Sequence, residues 1–331
     1  MSTNGKPKFA MYWADSCGGC EIAVLNIHEK ILDFDANFEV VFWPVAMDAK
    51  LKDVEAMEDK SILLTLFNGA IHSEEHVHLA KLLRKKSQIL VAFGSCATEG
   101  CIPALINLSS KEDFYNTVFE TITTDNPEHV RPELVVSMPE GDITQPEMYP
   151  VVRTLDQVVP VDYYMPGCPP ESDQIAAVID LVIAVLKGEA ELPPTGVVIG
   201  AGNSTVCDDC PRERNVKKIK AFTRIHEIET IDPDLCLLEQ GIPCNGPATR
   251  NGCGALCPSA GAQCIGCYGP ADGVIDYGSR LMAAYASVID SEDPEEIDQI
   301  LDTLPDPAGQ FYRFSMAGSV LRASKYAWEG K

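Results

Sequence analysis

One stretch, MYWADSCGGCEIAV (residues 11–24), joins the end of a predicted strand to the start of a predicted helix. A short apolar run ends there in Cys17-Gly-Gly-Cys20, and a helical pattern begins at once. Two cysteines at this spacing on a glycine hinge are compatible with a thiol–disulfide redox pair, a zinc knuckle or half of an iron–sulfur site. The other cysteines of the chain are needed to choose between these chemistries.

The composition is that of a globular protein with an acidic surface. The 331 residues are 46% hydrophobic and 23% charged, which is enough for a substantial core and for two domains. The net charge of −23 argues against a nucleic-acid partner, because no basic surface is available to neutralise phosphates. The best candidate for a membrane span, residues 175–186, contains Asp180 and is too short.

The cysteine content predicts metal binding in a reducing compartment. The N-terminal residues have neither the layout of a secretory signal nor a twin-arginine pair, so we expect the protein to be cytoplasmic. The thirteen cysteines are odd in number, and disulfides are rare in the cytoplasm. These cysteines are therefore expected to ligate metal or to react.

Strand and helix patterns alternate through the first half of the chain. Short runs rich in branched and aromatic residues predict strands at 8–14, 38–43, 61–67, 88–94 and 160–165. Apolar residues at helical spacing lie between and after them, at 24–34, 76–86 and 175–186. This alternation predicts an α/β fold with a mostly parallel sheet that helices cover on both faces.

The alternation fades near residue 190, where GEAELPPTG (188–196) has the composition of a linker. Beyond it the chain is rich in glycine and proline and contains eight of the thirteen cysteines. We therefore predict a sheet domain at 1–190 and an irregular domain at 197–331. The acidic segment 290–309 is predicted to be a solvated helix and turn.

Three loops of the predicted sheet domain carry cysteine just after a strand. Cys17 and Cys20 follow the first strand, Cys96 follows residues 88–94, and Cys168 follows residues 160–165. The carboxyl ends of parallel strands line one crevice, so these residues are expected to meet there. Four thiolates that converge in this way could hold zinc or a 4Fe–4S cluster. Nearby glycines would let the backbone approach the sulfides of a cluster.

The second domain contains eight cysteines in the pattern C-x2-C, C-x7-C, C-x3-C and C-x2-C: Cys207, Cys210, Cys236, Cys244, Cys253, Cys257, Cys264 and Cys267. Eight ligands suffice for two four-thiolate sites, and zinc would accept the same number. Few apolar residues separate these cysteines, so metal is expected to supply much of the stability of this region. Three such sites in one chain favour electron transfer through clusters, because zinc is redox-inert.

Three motifs carry a resemblance to a known family: DSCGGCE (15–21), GSCATEG (94–100) and PGCPP (166–170). Together with the cysteine-rich second half, they resemble the small subunit of nickel–iron hydrogenases. The form without a signal sequence is similar to the gamma subunit of the methyl-viologen-reducing (deazaflavin-non-reducing) hydrogenases of methanogens, which works beside heterodisulfide reductase. The resemblance implies a flavodoxin-like domain followed by an irregular iron–sulfur domain. It also implies an electron-transfer subunit of an H2-oxidising enzyme whose nickel–iron centre lies in the partner large subunit.

The resemblance also assigns the ligands of three 4Fe–4S clusters. It gives Cys17, Cys20, Cys96 and Cys168 to the proximal cluster, Cys253, Cys257, Cys264 and Cys267 to the medial cluster, and Cys207, Cys210, Cys236 and Cys244 to the distal cluster. Cys207 stands where many relatives have histidine, and Cys257 where many have proline, so both sites are expected to be all-cysteine 4Fe–4S sites. Electrons would then leave for a delta-type iron–sulfur subunit and heterodisulfide reductase or ferredoxin.

Two alternative functions stay open at this point. One is a hydrogen-independent relay like the small subunit of respiratory complex I, although that relative has adjacent cysteines in its first motif and lacks the long cysteine-rich C-terminal domain. The other is a structural zinc scaffold, which the number and type of bound metal ions would distinguish from a cluster protein.

Several residues beside the cysteine groups have no assigned ligand role. Cys101 is expected to be a small buried or partly exposed thiol. Glu21 and Glu99 flank ligands and could tune a cluster or pass protons. Arg212 follows the first C-x2-C pair of the second half and could steady the charge of the distal cluster or meet the carboxylates of a partner. His72, His76 and His78 form a small cluster in which 72 and 76 have the spacing of metal ligands on a helix, but a solvated helix start is expected there.

Overall fold

The computed structural model describes residues 5–215 and 218–328. Its strands within these ranges are β1 (Lys8–Trp13), β2 (Glu39–Phe42), β3 (Ile62–Asn68), β4 (Ile71–Ser73), β5 (Ser87–Phe93), β6 (Val135–Met138), β7 (Gly141–Thr144), β8 (Met148–Arg153), β9 (Tyr163–Met165) and β10 (Val197–Val198). Six of them form one parallel sheet in the spatial order β2-β1-β3-β5-β9-β10. Counted within this sheet alone, that is the flavodoxin-like order 2-1-3-4-5 with one further edge strand. The predicted α/β fold is therefore confirmed.

Helices connect and cover the strands. They are α1 (Gly19–Leu25), α2 (Lys30–Asn37), α3 (Leu51–Ala56), α4 (Glu74–Lys86), α5 (Ser95–Glu99), α6 (Lys111–Phe119), α7 (Ser172–Lys187), α8 (Val206–Asp209), α9 (Leu256–Ser259), α10 (Tyr277–Ala286), α11 (Pro294–Asp302), α12 (Pro307–Tyr312) and α13 (Lys325–Trp328). Short 3-10 turns lie at Ile102–Leu108, Leu155–Gln157, Ile225–Glu227 and Leu238–Gln240. In the described part of the chain, no helix combines the length and the apolar character that crossing a bilayer requires.

Successive residues of the central strands enter two different cores, as the two-residue period of a strand dictates. Phe9 and Met11 of β1 pack in one core with residues of α1, α2 and α7. Ala10 packs on the other face of the sheet, in a core shared with α3 and α4. Both faces of the sheet are thus covered, as the sequence pattern predicts for parallel strands.

The helical pattern predicted at 24–34 is divided into two helices. α1 ends at Leu25 and α2 begins at Lys30. Between them His28 has a φ of 56°, a left-handed conformation that a right-handed helix cannot contain. The apolar spacing continues across the break because both helices use the same face to cover the sheet, and the break turns the chain without exposing that face.

The second half contains little regular structure. After β10 the described residues form short helices, turns and isolated bridges around a separate core that includes Val206, Leu237, Tyr277, Leu281 and Tyr285. The predicted acidic helix is present as α11, which is mostly exposed. The segment after α12 returns to the first half and packs beside Cys96 and Cys101. The two halves therefore share a buried contact next to the first group of cysteines.

Asn107 is fully buried and joins three separate segments. Its Nδ2 donates to the carbonyl oxygens of Val152 (2.9 Å) and Arg322 (2.9 Å), and its Oδ1 accepts from the backbone N–H of Val152 (2.8 Å). Asn107→Ala leaves these buried backbone groups without partners, so we expect it to lower the free energy of unfolding by about 2–3 kcal/mol. Anaerobic denaturant unfolding measures the change. Asn203→Ala, at an exposed position, should stay within about 0.5 kcal/mol of wild type; equal losses in both variants would contradict the prediction.

Candidate metal centres

Four thiols from three loops meet at the carboxyl edge of the sheet. Cys17 and Cys20 follow β1, Cys96 lies in α5 directly after β5, and Cys168 follows β9. Burial raises the pKa of the Cys20 thiol, and the neighbouring charges, those of Cys96, Cys168 and Cys17 among them, raise it further. The structure therefore brings the first predicted group of cysteines together, although strand β3 separates β1 from β5.

Glycine is required where the chain passes closest to these thiols. Gly94 has a φ of +80°, and a Cβ atom placed on it would lie 2.4 Å from the Sγ of Cys20. The next residue, Ser95, locks two of the loops together: its backbone N–H donates to Gly167 O (2.8 Å), and its Oγ accepts from the N–H of Gly167 (3.0 Å). Any side chain at residue 94 would therefore displace a thiol of the group.

A cleft of about 500 Å³ opens beside this first group, with Cys17, Cys96, Cys168 and His72 in its wall.

The prediction of a solvated His72 is wrong, because this residue belongs to β4 and is buried. Its Nδ1 lies 2.9 Å from Oδ2 of Asp15. No sequence pattern indicated this pair, since β4 is only three residues long.

A buried carboxylate adjoins the same thiols. Glu21 is 3% exposed, and both of its carboxylate oxygens accept from Nδ2 of Asn68, at 3.0 and 2.9 Å. Burial raises the pKa of Glu21, and the hydrogen bond from Asn68 opposes the shift. Sequence reasoning missed Asn68, although a polar residue that ends a buried strand at the ligand-binding edge of a sheet is a recognisable signal.

The second group of thiols is formed by the four cysteines from 207 to 244. The pKa of Cys207 is raised to about 12 by burial and by the charges of Cys244, Cys236 and Cys210. A Cβ atom placed on Gly246 would lie 3.1 Å from the Sγ of Cys207 and 3.8 Å from that of Cys244, so a side chain at this position would crowd the sulfur of Cys207. Residues far apart along the chain are again brought to one place.

The third group occupies the loops from 253 to 267. Burial raises the pKa of Cys267 to about 12, and the charges of Cys253, Cys168 and Cys257 contribute to the shift. Burial also raises the pKa of Cys264 well above its usual range, and the charge of Cys244 adds to this effect. The third group thus lies between the other two, beside Cys168 on one side and Cys244 on the other.

Two contacts join the three groups in series. The backbone of Cys168 lowers the pKa of the Cys267 thiol, so these two residues lie side by side. The N–H of Cys264 donates to Sγ of Cys244 over 3.4 Å. Each contact connects a cysteine of one group to a cysteine of the next.

Arg212 is a structural residue in this region. Its Nε donates to Pro258 O (3.0 Å), and its Nη1 donates to the carbonyl oxygens of Asp232 (2.7 Å) and Leu235 (3.0 Å). These bonds fix the loop before Cys236 against the loop after Cys257. Arg212 therefore fixes the positions of two cysteine loops relative to each other. Its position in the sequence indicates an interaction with cluster charge or with a partner's carboxylates, and the pattern does not predict this structural role.

Cys101 lies next to the first group. It is 1% exposed, and its thiol donates to Sγ of Cys168 over 3.6 Å. Hydrogen bonds to Cys168 and Cys96, together with burial, raise the pKa of Cys101. The bond from Cys101 is the main reason why the pKa of Cys168 is lowered. The expectation of a buried thiol is confirmed, and the structure adds its contact with two cysteines of the group.

The chemistry of these donor sets fits iron–sulfur clusters. Each group contains four thiols, the number that a cubane requires, since each thiolate of a cubane binds a different iron. Glycine occurs at Gly94 and Gly246, where a side chain would crowd a thiol, and this also suits a cluster, whose sulfurs accept backbone N–H bonds.

Several known hydrogenase subunits are similar to this chain over nearly its whole length. The family described as NADH ubiquinone oxidoreductase, 20 Kd subunit, matches residues 17–182. The iron–sulfur subunit of the F420-non-reducing hydrogenase of Archaeoglobus profundus is 40% identical over 321 residues, 95% of this chain and 97% of that protein. The corresponding F420-non-reducing hydrogenase subunit of Methanothermobacter marburgensis is 35% identical over 332 residues, 98% of this chain and 99% of that protein. A solved structure of an NAD+-reducing NiFe-hydrogenase in the H2-reduced state matches with a TM-score of 0.47 and 26% identity, over 57% of this chain and 96% of that chain.

Glu99 lies on α5, the helix that carries Cys96, and we expect it to make the free energy of unfolding depend on pH. Burial and then the charge of Asp156 raise its pKa to about 8, while Arg250 acts in the opposite direction. The native state therefore retains a proton that the unfolded chain loses above about pH 4.5, so stability should fall as pH rises from about 5 to 8. Glu99→Gln removes this slope and should be the more stable protein at pH 8, by roughly 2 kcal/mol.

Anaerobic unfolding curves at several pH values measure the slope for wild type and Glu99→Gln. Glu29→Gln, at an exposed position, is the matched control and should leave the wild-type slope unchanged. Parallel pH curves for wild type and Glu99→Gln would show that Glu99 is not the group responsible.

Proposed function

The chain belongs to the NADH ubiquinone oxidoreductase 20 Kd subunit family and, within it, to the small subunits of nickel–iron hydrogenases, and from that premise we propose that it conducts electrons through three 4Fe–4S clusters. It is a subunit of an oxidoreductase that acts on H2, and the active site lies in the large subunit. The observation that carries the proposal is that cysteines far apart in the sequence lie close together, so that neighbouring thiols raise the pKa of Cys20, Cys207 and Cys267.

We assign the proximal cluster to Cys17, Cys20, Cys96 and Cys168, the medial cluster to Cys253, Cys257, Cys264 and Cys267, and the distal cluster to Cys207, Cys210, Cys236 and Cys244. The mutual effects of the thiols on their pKa values support these sets, since each set contains cysteines that raise the pKa of one of its own members. When bound, the clusters supply one-electron redox chemistry that no protein side chain in these positions offers.

The order proximal, medial, distal is supported by the two contacts between groups. Cys168 lies beside Cys267, and the N–H of Cys264 donates to the thiol of Cys244. Because the medial set touches both of the others, electrons entering at the sheet edge have a short route to the distal set. The chain itself positions and insulates the redox groups, and no acid or base of this subunit is needed for the reaction with H2.

Two further partners belong to this proposal. We place the large subunit over the cleft beside the exposed Cys17, where it would cover the proximal cluster. At the distal end, a delta-type iron–sulfur subunit and heterodisulfide reductase or ferredoxin would receive the electrons in the cytoplasm. The high cysteine content, which suits a reducing compartment, supports this location.

Metal content tests the proposal against its alternatives. The large–small subunit complex, purified anaerobically, should contain about twelve labile sulfides and about thirteen irons per copy of this chain, one of those irons belonging to the nickel–iron centre. A zinc scaffold would instead hold about three metal ions and no labile sulfide in this chain. Cys236→Ala should lower the iron content by about one to four atoms, because it removes one distal ligand. Cys101→Ser, which changes a cysteine outside the three groups, should retain the full content. A zinc-loaded, colourless protein, or co-purification with quinone-linked subunits alone, would refute the proposal.

Gly94→Ala provides a second test at the proximal site. The added Cβ would lie 2.4 Å from Sγ of Cys20, so we expect loss of one cluster, about four irons, and slower H2-dependent dye reduction. Gly188→Ala is the matched control, since Gly188 also has a positive φ (+75°) but has open space around its Cβ position. It should lose about 1 kcal/mol of stability and keep its iron. Iron loss in both variants would show that strain at a positive φ, and not the contact with the Cys20 thiol, causes the loss of the cluster.

A further inference from the structure

We propose that the thiol of Cys101 donates a hydrogen bond to the Cys168 thiolate and thereby raises the reduction potential of the proximal cluster. This inference rests on the proposed function, because it requires Cys168 to be a cluster ligand. Cys101 is a positioning and tuning residue in this proposal and not a ligand itself. It accounts for the one cysteine that the three groups of four leave over.

The contact is direct and shielded from water. Sγ of Cys101 lies 3.6 Å from Sγ of Cys168, with Cys101 as donor. Cys101 is 1% exposed and packs in a small apolar core with Phe314 and Met316. A hydrogen bond to sulfur is strongest where water cannot compete for the same acceptor. This burial therefore favours a measurable effect from a weak S–H donor.

The backbone conformation of Cys101 is strained. Its φ of 50° and ψ of −150° lie close to a region of backbone angles that almost only glycine adopts. The preceding Gly100 also has a positive φ (+87°), and a Cβ atom on it would lie 2.5 Å from Cβ of Ala317. The turn is thus fixed by close packing, and the strained conformation aims the side chain of Cys101 at Cys168.

Electrostatics explains why this hydrogen bond changes the potential. The S–H group of Cys101 withdraws negative charge from the sulfur of Cys168. Reduction adds an electron to the cluster, and a donor to a ligand sulfur stabilises the more negative, reduced form. Removing the donor should therefore lower the potential.

The experiment compares three variants in the purified large–small subunit complex. Cys101→Ala removes the donor, Cys101→Ser restores one of similar size, and Thr98→Val removes another buried hydroxyl from α5. Oγ1 of Thr98 has no hydrogen-bond partner in the described residues, which makes this variant a suitable control. Redox titration followed by electron paramagnetic resonance should show that Cys101→Ala lowers the reduced-to-oxidised ratio of the proximal cluster roughly two- to tenfold at a fixed potential. Cys101→Ser and Thr98→Val should match wild type.

A further measurement detects the proton of the hydrogen bond directly. Exchange into D2O should alter the proton hyperfine couplings of the reduced proximal cluster, and the same exchangeable proton should be absent from Cys101→Ala. Full iron content with an unchanged proximal potential in Cys101→Ala would overturn the inference while leaving the proposed function intact. Loss of the proximal signal and of its iron in Cys101→Ala would also overturn it, since Cys101 would then be a ligand. A wild-type complex without clusters would instead remove the proposed function.

Discussion

Repulsion between buried sulfur charges is the constraint on which this structure depends. Each group places thiols where burial and neighbouring thiols raise the pKa, as for Cys20, Cys207 and Cys267. Four thiolates at such sites are unstable unless positive charge lies between them. Bound iron would supply that charge and replace the protons, and cluster binding would then be coupled to folding of the cysteine-rich half.

The parallel sheet and the irregular half meet this constraint in different ways. At the sheet edge, strands fixed by their own cores deliver Cys20, Cys96 and Cys168 to one place, and Gly94 gives the sulfur room. In the second half no sheet fixes the described loops. There Arg212 joins two cysteine loops through backbone carbonyls, while Gly246 leaves space for the thiol of Cys207. The first group therefore has a scaffold that the sheet provides, and the other two would depend more strongly on bound metal.

The links between groups are structural, and in the proposed function they also lie on the route of the electrons. Cys168 lies beside Cys267, which joins the two halves of the chain, and the N–H of Cys264 donates to Sγ of Cys244 within the second half. A backbone donor of this kind also withdraws charge from the acceptor sulfur. The same physical effect operates from Cys101 onto Cys168, but from a side chain, which a single substitution can change without disturbing the backbone. A substitution at Cys101 can therefore test the effect on the reduction potential alone. A backbone N–H donor between two groups cannot be removed without also disturbing the packing of the chain.

The sequence by itself determined the α/β class, the strands that carry the first cysteines and the chemistry of the donor set, because alternation of apolar residues and the count of cysteines are local properties. It did not determine the break at His28, the burial of His72, the bond from Asn68 to Glu21 or the contact of Cys101 with Cys168. These features join residues from different parts of the chain or depend on a single backbone angle. Only the tertiary structure decides them, since the free energy of each depends on neighbours that sequence spacing does not specify.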